Sequence, residues 1–393
     1  MAQTIEPSTQ PPTLRGVPPL GVLPTMLRQG PYDYLRRVQR EHGDLVKLRL
    51  GSMPIYLASS PQLLQHILRD NHKNYPKPDL LYGQIRAILG NGLITSEGDL
   101  WLRQRRMIGP FLHRKHLQNL VDTMVDAIDG ILDTWADDAD QGNIVNIVPA
   151  MTRITMDVVT RCVLGGDTLT PEKVEEIGHH ADIVVKYTGI RGYLPFLPSR
   201  VPIPGTRKFE KSLAIFKQAM WDLIADARER GVTNDLLSMM LHAVDEETNQ
   251  TMSDQQLFDE VITTFSAGFE TTATALPWAI VLLEQHPEIK QKMLHEIDTV
   301  LGDRTPPAAD VMKLPYTRQV FQEAIRMYAP VPLMPRQALE DDEMNGYHIP
   351  AKSYVVMYFD GVHHNANAWD DPDTFDPDRF APERRSHQHP YAY

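Results

Sequence analysis

Residues 267–272 read Ala-Gly-Phe-Glu-Thr-Thr and sit in the middle of a long apolar pattern that opens at Ser253 and runs toward Glu284. A helix interior accepts glycine at a cost of about 1 kcal/mol, and β-branched threonines at a few tenths each, so some compensation is expected at this point. Gly268 lets a flat ligand approach the backbone. A hydroxyl at Thr271 or Thr272 can bond back to a carbonyl one turn earlier and open a groove that holds water. Glu270, beside that groove, has the chemistry to relay protons. Close packing of a neighbouring helix against Gly268, with both hydroxyls satisfied, explains the same residues without any ligand. Ser253 and Gln256 have capping-box spacing at the start of the helix, whereas Pro277 removes one backbone bond and predicts a kink.

Glu323 and Arg326 stand three apart on a helix that Pro330 stops, so they can pair on one face. Most such pairs are solvated and contribute under about 0.5 kcal/mol. This one gains interest from Phe375-Asp-Pro-Asp-Arg-Phe380, because Arg379 would complete an Arg, Glu, Arg network if the chain folds back on itself.

The elements that must position these residues are mostly helical. Apolar residues recur at three- and four-residue steps from Lys115 to Trp135, and similar patterns occupy 56–70, 100–116, 150–164, 170–186, 206–230, 253–284 and 287–301. Alternation at Val46, Leu48, Leu50, Ile55 and Leu57, and again from Tyr347 to Tyr358, predicts two hairpins of a small sheet. No internal repeat or clean linker appears, and the Pro-rich stretch Leu194–Thr206 reads as a loop between helices. The expectation is one mainly α domain over residues 1–393 with a small β region, residues 1–30 forming a Pro-rich N-terminal segment.

Composition narrows the function. Lys and Arg total 39 against 51 Asp and Glu, a net charge of −12, which disfavours a nucleic-acid partner. The single cysteine, Cys162, rules out an internal disulfide and lies in a helical apolar pattern, as a core cysteine would. The longest apolar stretch, Ala273–Leu283, is too short to span a bilayer, and the first thirty residues carry no secretory signal, so a cytoplasmic chain without a transmembrane segment is expected. Phe265, Phe269 and Leu276, the run Leu81, Tyr82, Ile85, Ile88 and Leu89, and the stretch Tyr193–Leu197 with Val201 and Ile203 suggest an apolar pocket and lid. Arg103, Arg105, Arg106, Arg114 and Lys115 form a basic cluster suited to an acidic partner.

Taken in order, Ala-Gly-Phe-Glu-Thr-Thr at 267–272, Glu-Ala-Ile-Arg at 323–326 and Pro-Asp-Arg-Phe at 377–380 resemble the cytochrome P450 family of soluble bacterial type. Trp101-Leu-Arg-Gln-Arg105 upstream and His363 before Trp369 extend the resemblance over practically the whole chain. It implies a mostly helical fold enclosing haem b, and a monooxygenase that hydroxylates or epoxidises a lipophilic fatty acid, terpenoid or steroid-like substrate with dioxygen and two electrons from a ferredoxin or flavodoxin. Gly268, Glu270 and Thr271 would lie over the distal face, Thr271 stabilising bound dioxygen, Glu270 feeding protons and Thr272 supporting both. Trp101 and Arg105 would donate to one haem propionate and Arg336 to the other, with Glu323, Arg326 and Arg379 as the structural network. The family's axial cysteine follows the Pro-Asp-Arg-Phe segment, and here no cysteine follows Phe380, so no metal ligand is assigned in this chain. Truncation of a longer parent is the expectation, with a haem-free or weakly haem-binding protein as the alternative. A terpene synthase is set aside because Asp137-Asp138 and Asp370-Asp371 lack a third carboxylate at metal-ligand spacing.

Overall fold

The computed structural model describes residues 10–113, 116, 118, 120–165, 170–192, 197, 201–231 and 235–393. Arg114, Lys115 and Tyr193–Phe196, named above, lie outside the described residues, as do residues 1–9 of the Pro-rich segment.

In chain order the helices used below are α1 Pro31–His42, α2 Pro61–Gln65, α3 Asp79–Leu89, α4 Gly98–Ile108, α5 Val121–Asp140, α6 Ile147–Leu164, α7 Pro171–Gly192, α8 Thr206–Arg230, α9 Leu236–Leu241, α10 Asp254–Gln285, α11 Pro287–Val300, α12 Pro315–Met327 and α13 Phe359–His363. The strands are β1 Thr13–Leu14, β2 Leu45–Leu50, β3 Met53–Ala58, β4 Leu333–Gln337, β5 Asp342–Met344, β6 Tyr347–Ile349 and β7 Tyr354–Tyr358. Contacts gather them into two compact units, one of residues 1–81, 195–198 and 319–393 and the other of residues 82–194 and 199–318.

The first unit carries the five-stranded sheet in the order β1-β2-β3-β7-β4. The first expected hairpin is present: β2 and β3 run antiparallel with Leu48 opposite Ile55, joined across Gly51, whose φ of 61° only glycine adopts without strain. The second is not. β6 pairs with β5 in a separate ribbon, and β7 runs parallel to β3 and antiparallel to β4. Val355, Val356, Met357 and Tyr358 are all buried, and such a continuous apolar run belongs in the middle of a sheet with a strand on each side. The helical pattern over 56–70 is also corrected: Tyr56–Ala58 belong to β3, and α2 starts only after Ser60, whose hydroxyl accepts from the Leu63 amide, with Pro61 at the first helical position.

The second unit is built on α10, whose first half is buried among α6, α8 and α9 through Phe216, Leu237, Phe258, Val261, Ile262 and Phe265. An amphipathic helix does hold the predicted stripe of α5. Ala127 and Ile131 are buried, and Ile128 and Trp135 pack against a small cluster with Met151 and Ile154, while Leu132 turns outward. Among the described residues no helix is long and apolar enough to cross a membrane.

Candidate active site

Helix α10 begins as its sequence suggests, with the Ser253 hydroxyl accepting from the Gln256 amide at 3.2 Å, and it continues through Pro277 to Gln285. Its three central threonines all bond back one turn: Thr271 Oγ1 to the Ala267 carbonyl at 2.8 Å, Thr272 Oγ1 to Gly268 at 3.1 Å and Thr274 Oγ1 to Glu270 at 2.9 Å. Each such bond gives a carbonyl a second donor, as the sequence anticipates, and the helix runs through them without a break. At Gly268 the close approach is between helices, since a Cβ there would stand 3.0 Å from Cγ2 of Val159 on α6.

Glu270 projects into a groove of about 420 Å³ walled by α6, α7 and α10, among them Val148, Thr152, Val185, Phe269 and Trp278. Desolvation raises its proton affinity first, and the Asp182 carboxylate on α7 raises it further. Ala273 and Pro277 line the same groove. Because residue 277 has no N–H, the Ala273 carbonyl lacks its helical donor there.

The apolar wall expected from Phe265 and Leu276 is instead core. Phe265 is fully buried 6.0 Å from Phe216 and 5.8 Å from Phe269 by ring centroids, and Leu276 packs with Ile131, Met151 and Ile154. Of the α3 run, Tyr82 and Ile88 are buried as well.

Trp101 and Arg105 are both exposed, one turn apart on the same face of α4. Their helix is fixed from the other side by Gln104, 1 % exposed, which accepts from the Ser96 hydroxyl at 2.5 Å and donates to the Asn91 carbonyl at 2.7 Å. Of the basic cluster, Arg105 is exposed and two members are paired. Arg103 and Arg106 stand 3.4 and 3.2 Å from the buried Asp245, and Arg106 also meets Glu247 at 3.0 Å, so these two charges are neutralised within their own unit.

Sequence reasoning missed a clasp on the same helix. Asp259 and Glu260 are buried and accept the amides of Asn91 at 2.8 Å and Leu93 at 3.0 Å, holding the loop between α3 and α4 onto α10. Gly90 and Gly92 permit this, because a Cβ on either would collide with Asp259 or Thr263. Burial pushes the Glu260 carboxyl up to about 7, with the Leu93 amide working against the shift. A pair of adjacent acids facing a Gly-x-Gly loop was the available signal.

In the first unit Glu323 and Arg326 are both fully buried and joined by two bonds, Nε to Oε2 at 2.6 Å and Nη2 to Oε1 at 2.8 Å. Arg379, also buried, brings its Nε to 3.4 Å from Glu323 Oε1, an ion-pair distance outside hydrogen-bond geometry. The rest of both guanidiniums goes to backbone. Arg326 donates to the carbonyls of His363, Pro372 and Thr374, and Arg379 to those of Asp370 and Asp371. The Asp376 amide completes Glu323 at 3.0 Å. The residues between α13 and Phe380 have little regular structure, and this network is what fixes them. His363, packed on Tyr393, is buried there and pushed down to about 4 by burial and by Arg326, so its imidazole is neutral. A second anchor not foreseen from sequence is Arg36, which clamps the buried Asp360 through Nε and Nη2, both at 2.7 Å.

Arg336 lies half-buried on β4, opposite Val355 of β7. Cys162 is 4 % exposed on α6, and burial pushes its thiol up to about 11, so it is a protonated core residue with no means of acting as a thiolate. Trp101 and Arg105 in the second unit, and separately Arg336 in the first, are donors of the chemical kind that binds a carboxylate, and the chain's one cysteine, the buried Cys162, is not placed to bind iron.

Comparison with known proteins bears on these residues as a set. The sequence pattern of the family described as Cytochrome P450 matches residues 11–393. Cyclooctatin synthase of Streptomyces melanosporofaciens is 36 % identical over 372 residues, 94 % of this chain and 79 % of its own length. Pentalenene oxygenase of Streptomyces avermitilis is 32 % identical over 94 % of this chain and 81 % of its own. The cyclooctat-9-en-7-ol 5-monooxygenase of Streptomyces melanosporofaciens is 32 % identical over 94 % and 79 %. Among solved structures, the haem domain of cytochrome P450DA superposes with a TM-score of 0.87 at 24 % identity, covering 99 % of this chain and 85 % of that one.

Proposed function

The chain belongs to the cytochrome P450 family, whose cofactor is haem b and whose reaction is monooxygenation, and from that premise we propose that its substrate is a terpenoid. The observation carrying this reading is that pentalenene oxygenase and cyclooctat-9-en-7-ol 5-monooxygenase each align with 94 % of the chain. Terpenoids fit the general expectation of a lipophilic substrate better than fatty acids or steroids on this ground. The haem-free alternative has no comparable support.

When bound, the haem supplies the iron at which dioxygen is activated. The chain's own residues hold it and handle protons. In this reading Trp101 and Arg105 bind one carboxylate arm and Arg336 the other, since cation-to-carboxylate bonds are strong when shielded from water. Gly268 lets α10 lie close to α6. The Thr271 hydroxyl, already donating to Ala267, orients water beside the reacting oxygen, Thr272 supports it, and Glu270 passes protons from the groove. Glu323, Arg326 and Arg379 hold the segment that precedes the family's cysteine loop.

The single-domain reading of residues 1–393 belongs to the same proposal, supported by a family match that runs unbroken from residue 11 to 393. So does an electron donor of ferredoxin or flavodoxin type, supported by the need for two electrons and no longer by the α4 arginines. A cytoplasmic location is supported by the composition. The test is turnover of a haem-loaded form of the chain that carries the family's cysteine loop, with a surrogate ferredoxin system, on a polycyclic terpene hydrocarbon, a terpene alcohol, a fatty acid and a steroid. Hydroxylated or epoxidised terpene is the expected product, and turnover confined to the fatty acid or steroid would overturn the substrate assignment.

A further inference from the structure

The first unit carries an apolar and cationic face that none of the roles above uses. Residues 10–32 contain Arg15 and Arg28 and no carboxylate, and residues 45–58 contain Lys47 and Arg49 and again none, in a chain with a net charge of −12. Val17, Leu20 and Leu27 are 58, 45 and 55 % exposed, with Pro18, Pro19 and Pro24 exposed beside them. Single exposed aliphatics are ordinary on a protein surface, whereas several together with one sign of charge mark a place of contact. We propose that this face docks the protein on an anionic lipid surface.

The apolar tip is built, not frayed. Val17 and Gly21 exchange backbone bonds of 2.8 Å in both directions, the Gly51 amide donates to the Leu20 carbonyl at 3.0 Å, and the Val22 amide donates to that of Arg49 at 2.8 Å. Gly16 and Gly21 have φ of 62° and 63°, and a Cβ on either would collide with backbone, so the turn closes only with glycine at both positions. These bonds present Val17–Leu20 to solvent beside the end of β2. The short helix Leu23–Gln29 follows at once. It buries Leu23 and Met26 and turns Pro24, Leu27 and Arg28 outward, at the three- and four-residue steps that share one side. Arg15, Arg28 and Arg49 are exposed, and none of them forms an ion pair among the described residues. The nearest carboxylates along the chain are Asp33, in the first turn of α1, and Asp44, which accepts from the Asn365 side chain at 2.8 Å.

Charge and shape choose the occupant. Unpaired arginines on an acidic protein call for an anionic partner and exposed aliphatics for an apolar one, and the headgroup boundary of a bilayer offers both at one depth. A partner protein that adds a strand is disfavoured. β1, at the edge of the sheet, is two residues long and stands between Pro11-Pro12 and Pro18-Pro19, which bring no amide donors. The contact is peripheral, since no described helix is long and apolar enough to cross a membrane. Lipophilic terpenoids partition into lipid, so a docked chain meets such a substrate where it collects. Docking needs neither haem nor turnover, and this proposal and the substrate reading therefore fail separately.

The test is sedimentation of the chain with vesicles of phosphatidylcholine alone and of phosphatidylcholine mixed with phosphatidylglycerol. Binding to the mixed vesicles at low salt should exceed binding to the neutral ones about tenfold or more, and high salt should abolish the difference. Arg15→Gln with Arg28→Gln should weaken it about tenfold, and Leu20→Ser with Leu27→Ser by a similar factor. Arg153→Gln with Arg318→Gln, an equal change of charge among exposed residues of the second unit, should leave it nearly unchanged. Leu20→Trp supplies a signal that misfolding cannot imitate: the added fluorescence should shift to the blue and be quenched by bromine-labelled lipid with the mixed vesicles. A parent chain that does not bind, equal binding to both vesicle types, or an equal loss from the Arg153 and Arg318 pair would overturn the proposal. So would Arg15 and Arg28 variants that weaken binding of an acidic ferredoxin and leave vesicle binding alone, which would make the face a protein site.

Discussion

A threonine hydroxyl inside a helix either serves its own backbone or serves something outside, and Thr271 serves its own backbone while keeping acceptor capacity. Its bond to the Ala267 carbonyl uses the one proton, leaving two lone pairs that can accept from a water. Thr271→Ala should leave the melting temperature within the range of a near-neutral surface change, since alanine is the better helix former. Product formed per reducing equivalent should drop severalfold, with peroxide in its place, as measured by product and peroxide assays on the haem-loaded enzyme. Unchanged coupling would move the role to Thr272. Glu260 makes a different prediction. Folded, it keeps its proton up to about pH 7, and unfolded it loses it in the usual carboxylate range. The folded state therefore binds the extra proton between those values, and stability falls as pH rises from 4.5 to about 7, by up to about 3 kcal/mol from this group, and levels off above. Glu260→Gln should flatten the melting temperature between about pH 5 and 7 relative to the parent. A parent profile that is already flat, or that rises with pH, would contradict the buried, singly bonded carboxylate.

At the scale of elements, α10 was legible because its signals are local. The Ser253 cap, the apolar period and the run of threonines all act within one or two turns, and each is found as expected. What was not legible depends on partners distant in sequence. The 347–358 hairpin was misread because alternation does not say which strand will lie alongside, and β7 found β3 some three hundred residues earlier. The Arg103 and Arg106 charges looked free because Asp245 is remote in the chain. Gly268 looked open to a ligand because only the fold brings Val159 against it. That contact gives an element-scale prediction. Gly268→Leu should wedge α6 from α10 and cost about 1–3 kcal/mol, read as a fall in melting temperature. Val159→Ala in the same chain should recover much of it. Equal losses with and without the second change would place the glycine outside the helix interface. The guanidinium network is the corresponding element in the first unit. Arg326→Ala leaves Glu323 buried without its bidentate partner and strands three carbonyls, so a loss of about 3–5 kcal/mol is expected by chemical denaturation. A loss below about 1 kcal/mol would mean the pair behaves as a surface one.

For the whole molecule, three short motifs in order carried the family from sequence alone, because each fixes a geometry that single residues cannot: a helix turn whose threonines bond back to its own carbonyls, a buried ion pair and the turn that Arg379 ties down. The same motifs say nothing about substrate. Phe265 and Leu276 could not be sorted from pocket residues by their apolar character, since a buried core and a greasy pocket draw on the same side chains. The substrate reading comes from whole-chain likeness to proteins with terpenoid names, and the central claim is that this chain, in a form that also carries the family's cysteine loop and is loaded with haem, is a monooxygenase of that kind. The measurement that meets it most directly is turnover of a polycyclic terpene under isotopically labelled dioxygen, with the product analysed by mass spectrometry. The account predicts a terpene carrying one labelled oxygen atom, formed only when a two-electron donor system is present. Product oxygen drawn from water, or labelled product from a fatty acid or steroid with none from the terpene, would contradict it.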